Sequence, residues 1–111
     1  MEVTRLETRE EFVTKDGSSI RELAGPASTS ARNQSLAEAT VPPGGETAEH
    51  LHERTEELYY FTAGEGRMRL GDAERDVHAG DCVLIPPGSV HKLWNPGPEP
   101  LVLLCLSLIH I

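Results

Sequence analysis

Gly44-Gly45-Glu46-Thr47-Ala48-Glu49-His50-Leu51-His52-Glu53-Arg54-Thr55-Glu56-Glu57-Leu58-Tyr59-Tyr60-Phe61-Thr62-Ala63-Gly64 is the most informative stretch of this chain. Side chains alternate between faces along a strand, so residues two apart point the same way. On an extended Thr47–His52, the imidazoles of His50 and His52 face one side. In the next run Glu57, Tyr59 and Phe61 share one face, while Leu58 and Tyr60 take the other. Histidine is the commonest metal ligand and also a proton shuttle near neutral pH. Two imidazoles and a carboxylate in neighbouring strands therefore raise the question of a metal site.

Glycine and proline punctuate the rest of the chain in the same way, at Gly17, Gly25-Pro26, Pro42-Pro43, Gly71, Gly80, Pro86-Pro87-Gly88 and Pro96-Gly97-Pro98. No window sustains a helical period over a dozen residues. Short apolar runs between tight turns are the signature of an all-β sandwich or barrel. The strands expected are Ser18–Leu23, Arg32–Val41, Thr47–His52, Glu57–Ala63, Arg67–Leu70, Glu74–His78, Cys82–Ile85, His91–Asn95 and Leu101–Ile109. Gly64-Glu65-Gly66 and Gly71-Asp72 read as hairpin turns. Residues 1–16 read as an N-terminal arm or edge strand, and residues 17–111 as one barrel domain.

The chain has 111 residues, enough for one domain with one core. Ten Lys and Arg against 18 Asp and Glu give a net charge of −8. With no basic cluster, nucleic acid is excluded as an expected partner, because phosphate binding needs concentrated cations. No apolar h-region follows Met1, and the run from Leu101 is too short for a bilayer, which takes roughly 20 apolar residues. The expectation is a cytoplasmic protein without a membrane partner. Cys82 and Cys105 sit in apolar runs and read as buried thiols, without the spacing of a structural zinc site.

His91, Leu93 and Asn95 share a face beyond the Pro86-Pro87-Gly88 turn. A barrel that turns His91 and Glu57 inward beside His50 and His52 assembles three imidazoles and one carboxylate. That donor set suits a divalent transition metal and leaves positions open for water or substrate.

At this point the chain resembles a cupin. Gly44-x5-His50-x-His52-x4-Glu57-x6-Gly64 matches the family's first motif at each fixed position, and Gly80-x5-Pro86-x-Gly88-x2-His91-x3-Asn95 matches the second. At average residue frequencies, each pattern arises by chance on the order of once in 10⁷ start positions. The resemblance covers residues 44–95. It implies a small antiparallel β-barrel of the double-stranded β-helix or jelly-roll kind, with metal ligands His50, His52, Glu57 and His91. It gives Gly44, Gly64, Gly80 and Gly88 to turns, Pro86 to the turn before His91, and Asn95 to closing that hairpin. His78 and His110 lie outside both motifs, and His78 reads as a surface residue.

The resemblance implies one divalent transition ion per chain, with Mn(II) or Fe(II) favoured over Ni(II) or Zn(II). The function expected is that of a metal-dependent enzyme, an oxygenase, decarboxylase or isomerase, acting on a small oxygen-rich chelating substrate. A non-catalytic metabolite- or metal-binding module is the second reading, because one scaffold hosts many functions. The pocket walls expected are Tyr59, Phe61, Met68, Leu70, Val83, Ile85 and Leu93. Tyr59 is the candidate acid-base residue, with simple packing weighed equally. If Met68 and Leu70 point in, Arg67 and Arg69 point out, so no arginine clamp for a phosphate is expected. Leu58, Tyr60 and Trp94 read as an outward apolar face, and the expected cover is a second subunit, making a homodimer.

Overall fold

Turns at glycine and proline cut the chain into nine short strands in the structure, a computed structural model that describes residues 1–15 and 17–108. The strands are β1 (Phe12–Val13), β2 (Ser19–Ala24), β3 (Gln34–Val41), β4 (Glu56–Ala63), β5 (Glu65–Leu70), β6 (Ala73–His78), β7 (Cys82–Ile85), β8 (His91–Trp94) and β9 (Leu101–Leu108). A single 3-10 turn, Leu6–Thr8, is the helical element among the described residues. Among the described residues, no helix is long and apolar enough to cross a membrane. Ile109 of the expected last strand, and His110, lie outside the described residues.

Every pairing between named strands is antiparallel. Six strands form one sheet in the order β1-β2-β3-β9-β4-β7, and three form the other in the order β6-β5-β8. The all-β barrel architecture expected from the punctuation is the one observed. The two sheets face each other across Val41, Phe61, Met68, Val77, Ile85, Leu93, Leu101 and Leu103, each 3% exposed or less. Strand alternation supplies this core: Tyr59 and Phe61 point in from β4, and Leu101 and Leu103 from β9. The N-terminal segment reaches the edge of the larger sheet, where Phe12 and Val13 pair with Ile20 and Ser19.

Two turns differ in kind. Gly71-Asp72 closes a true hairpin, joining Leu70 to its partner Ala73. Gly64 does not, although a hairpin was expected there, because β4 and β5 belong to different sheets. It is a corner, with φ +83°, and a Cβ there would fall 2.3 Å from the Pro100 carbonyl oxygen. Only glycine accepts both the left-handed backbone and the close approach.

The outer faces contrast. On the three-stranded sheet Arg67 bonds Glu74 at 2.7 Å and Asp76 at 2.8 Å, Arg69 pairs with Glu49, and Lys92 with Glu46 at 3.2 Å. The two arginines thus point out, as the Met68 and Leu70 alternation requires. On the six-stranded sheet the cross-strand neighbours are Leu58 with Leu84 and Leu106, and Tyr60 with Leu104. Trp94 does not share that face. It lies on β8 of the other sheet, beneath the Lys92 ammonium at 5.3 Å. Cys82 is exposed on β7 rather than buried, because Val83 and Ile85 take the inward parity; no disulfide joins it to half-buried Cys105 on β9.

Asn95 ties the end of β8 to two other segments. Its amide donates to the carbonyls of Val41 (2.9 Å) and Glu99 (2.7 Å), and its oxygen accepts the Gly97 N–H at 3.1 Å. The residue is 1% exposed, so its loss leaves buried backbone groups without partners. Asn95→Ala is expected to cost about 2–3 kcal/mol of stability, read as a lower urea midpoint. A midpoint shift worth less than about 0.5 kcal/mol would show that the three bonds contribute little.

Candidate metal centre

His91 opens β8, and the turn before it is fixed on three sides. Gly88, at φ +79°, donates its N–H to the His52 carbonyl at 2.7 Å, and the Ser89 N–H reaches the Pro86 carbonyl at 3.2 Å. The Val90 carbonyl accepts the Gly71 N–H at 2.8 Å, which docks the same turn on the β5–β6 hairpin. His91 then exchanges both backbone hydrogen bonds with His50, at 2.9 and 3.2 Å. This reciprocal pair sets two imidazoles side by side, with ring centroids 4.1 Å apart.

The segment that carries His50 is not the continuous strand Thr47–His52 that alternation suggested. It pairs with β8 only through isolated bridges, Glu46 with Trp94 and His50 with His91. Four steps along one segment match three along the other, so the segment holds one extra residue, as in a bulge. Thr47 compensates locally: its hydroxyl, in place of a carbonyl, accepts the Leu93 N–H at 2.9 Å. The extra residue also reverses parity. Thr47 points into the barrel and is buried; in an unbroken strand His50, three residues on, would point out. The irregularity is what turns His50 inward. His52 lies past the last bridge, with its side chain 48% exposed.

The three histidines offer ligand atoms that all lie within 4.8 Å of one another. The tautomers of His50 and His91 are set from behind. Nδ1 of His50 lies 2.8 Å from the Ala48 carbonyl and Nδ1 of His91 lies 2.9 Å from the Ser89 carbonyl. A carbonyl only accepts, so each Nδ1 carries the proton and each Nε2 presents a lone pair. Glu57, 8% exposed at its side chain, brings Oε1 to 3.1 Å from His52 Nε2 and 3.9 Å from His91 Nε2. Its Oε2 accepts from the Ser107 hydroxyl at 3.2 Å, across the β4–β9 register that pairs the two residues.

Glu57 Oε1 and His91 Nε2 are buried and have no hydrogen-bond partner. Buried polar atoms are normally satisfied. Here two such atoms face the point on which the other imidazoles converge. Three neutral nitrogens and one carboxylate oxygen also form a donor set that divalent transition metals accept, so the residues present fit an ion.

Of the residues expected around the site, Tyr59 and Leu93 line a cavity of about 140 Å³ that borders Glu57. Phe61 and Ile85 do not; they are filled core. Met68, Leu70 and Val83 line a different, apolar cavity of about 130 Å³ beside β6. The expected wall therefore divides between two interior spaces, each lined from both sheets: Tyr59 of β4 and Leu93 of β8 at one, Met68 and Leu70 of β5 with Val83 of β7 at the other. Tyr59 stands edge-on to His91, with ring centroids 5.8 Å apart. Sequence reasoning missed Ser107 and Thr47. The available signal for Ser107 was one small hydroxyl at inward parity in an otherwise apolar strand. His78 is a surface residue, with its side chain 64% exposed.

Comparison with known proteins gives a family match. A family model described as "Cupin domain" matches residues 37–107. The chain is 47% identical over 96 residues to uncharacterized protein MJ1618 of Methanocaldococcus jannaschii, covering 86% of this chain and 77% of that one. It is 30% identical over 74 residues to an oxalate-binding protein of Thermotoga maritima, covering 67% of this chain and 61% of that one. The crystal structure of the polyketide cyclase RemF from Streptomyces resistomycificus superposes with a TM-score of 0.86 at 22% identity, over 97% of this chain and 79% of that one.

Burial holds the His91 pKa below the ordinary imidazole value, and the neighbouring His50 and His52 act in the same direction. The Ser89 hydrogen bond and the Glu57 charge oppose it. A depressed native pKa means that the unfolded chain takes up the proton first as pH falls. For the metal-free protein, the urea midpoint is therefore expected to hold above about pH 6.5 and to decline below it. His91→Gln is expected to shallow that decline. An equal slope in the variant and the parent would rule out His91 as its source.

Proposed function

The chain belongs to the cupin domain family, and from that premise we propose that it is a mononuclear divalent-metal protein. The ligands are His50, His52, Glu57 and His91. The observation that carries this is the convergence of the three imidazoles on one point, where His91 Nε2 is buried without a hydrogen bond and Glu57 Oε1, also buried, lies 3.1 Å from His52 Nε2. Mn(II) and Fe(II) suit the mixed nitrogen and oxygen donors, with Ni(II) and Zn(II) behind them. When bound, such an ion polarises a substrate oxygen or lowers the pKa of a bound water.

The chain's own residues prepare the site for that ion. The Ala48 and Ser89 carbonyls hold the Nε2 lone pairs of His50 and His91 inward. Ser107 holds one oxygen of Glu57 so that the other faces the nitrogens. Tyr59, against His91, is the residue placed to hold or move a proton on the barrel side. The reading is a metal-dependent oxygenase, decarboxylase or isomerase for a small oxygen-rich chelating substrate. A non-catalytic binding module stands as the second reading, since the Thermotoga relative is described by what it binds. Turnover of a chelating substrate by loaded protein, lost in His52→Ala, separates the two.

Reconstituted protein is expected to hold about one equivalent of transition metal, by elemental analysis and metal-buffer competition. His91→Ala removes tight binding, and Ser107→Ala weakens it on the order of tenfold, as for hydrogen-bonded partners of metal ligands generally. Less than about a tenth of an equivalent in the parent after reconstitution would end the metal reading.

The apolar outer face of the six-stranded sheet supports a homodimer. Tyr60 is 46% exposed and Leu84 51% exposed, on adjacent strands, and Leu58 on β4 with Leu104 and Leu106 on β9, the other neighbour of β4, continue the patch. A second copy packed there would cover it, whereas the charged face of the other sheet is already internally paired. Leu106→Glu is expected to convert the dimer to monomer in light scattering while the far-UV signal holds. A parent that is monomeric at high concentration, or a variant that stays dimeric, would remove this face as the interface.

A further inference from the structure

The cavity bordering Glu57 is placed and lined to choose a substrate. Going down the barrel, Glu57, His50 and His91 form an upper layer. The next inward residues on the same segments, Tyr59 on β4 and Leu93 on β8, both line the cavity, as does Thr47. Two residues along a strand is roughly 7 Å, so the cavity lies directly beneath the ligands. Ile20, Ala39 and Leu103 complete its apolar side. Among the described residues no lysine or arginine lines it. Its volume of about 140 Å³ holds four or five non-hydrogen atoms at roughly 30 Å³ each.

These observations bear on ligand charge as well as size. A divalent ion with three neutral imidazoles and the Glu57 carboxylate leaves one net positive charge. A monoanion neutralises it. A dianion or a phosphate ester would leave excess negative charge next to an apolar space with no cation to meet it, which is costly.

We propose that the site takes a short-chain, monoanionic oxygen chelator, such as a 2-oxo acid, with its alkyl tail lowered into the cavity beneath the histidines. This rests on the metal reading above, because the charged head is held by the ion. It differs from oxalate, which has no tail to bury, and from sugar phosphates, whose polar tails the apolar wall disfavours.

The test is binding, followed through the visible spectrum of the Co(II)-loaded full chain titrated with 2-oxo acids of increasing length, from pyruvate to 2-oxooctanoate. Affinity is expected to rise about fourfold per methylene, the ratio given by the transfer free energy of a buried CH₂, until the cavity fills, and then to fall. Ala39→Leu, which fills the space, is expected to abolish the rise. Ile20→Ala, which enlarges it, is expected to move the best length up by one or two carbons. A flat series, or a best length that neither variant moves, would overturn the proposal. Metal content measured on the same samples keeps the two readings apart. Protein that holds no cobalt defeats the metal reading, whereas loaded protein with a flat series defeats only this one.

Discussion

The reciprocal backbone hydrogen bonds between His50 and His91 are the constraint on which the site depends. They join a segment that pairs with β8 through isolated bridges to the first residue of that strand. Hydrogen bonds from the Gly44, Thr47 and Gly88 N–H groups to the Asn95, Leu93 and His52 carbonyls also tie the two motifs together. With them, two imidazoles sit 4.1 Å apart, and the Glu57 carboxylate on the facing sheet closes the gap from the other side. The arrangement gathers the Nε2 lone pairs of His50 and His91 beside the Glu57 carboxylate, and His91 Nε2 is buried with no hydrogen-bond donor to meet it. Such clustering is unfavourable in a buried space unless a cation compensates, and this makes the donor set chemically meaningful rather than a chance of packing.

The barrel around the site is two-sided in character. Its smaller sheet wears a ladder of Arg67, Arg69 and Lys92 with acidic partners, which keeps that face solvated. Its larger sheet presents leucines and Tyr60. Between them, alternation fills the lower barrel with Phe61, Leu101 and Leu103 and leaves the level of Tyr59 and Leu93 partly open. The open space lies just below the ligands, where a bound molecule would extend. The same period-two rule that builds the core therefore shapes the space available to a ligand.

Much of this was legible in the chain itself. Gly44, Gly80 and Gly88 all take positive φ, as turn residues chosen for lacking a Cβ. The inward parity of Glu57, Tyr59 and Phe61 is written in the order of residues after Thr55, and the motif spacing from His52 and to Gly64 singles out Glu57 over Glu56. Errors arose where a local rule met a change of sheet or register. Gly64 reads as a hairpin because glycines flank Glu65, yet the chain turns a corner there between sheets. Counting parity on each strand groups Trp94 with Leu58 and Tyr60, although parity says nothing about which sheet a strand joins. Thr47–His52 was read as a regular strand, whereas the inserted residue is what brings His50 to the inner face.

The sequence by itself determined the all-β class, most of the turns and the three histidines that converge on one point, because alternation and glycine conformation act over a few residues. Tertiary structure decided the bulge before His50, the Ser107 contact with Glu57, the division of the expected pocket and the separation of Trp94 from the apolar face. Each of these depends on which strand lies beside which, a property of segments distant in the chain that short-range periodicity does not encode.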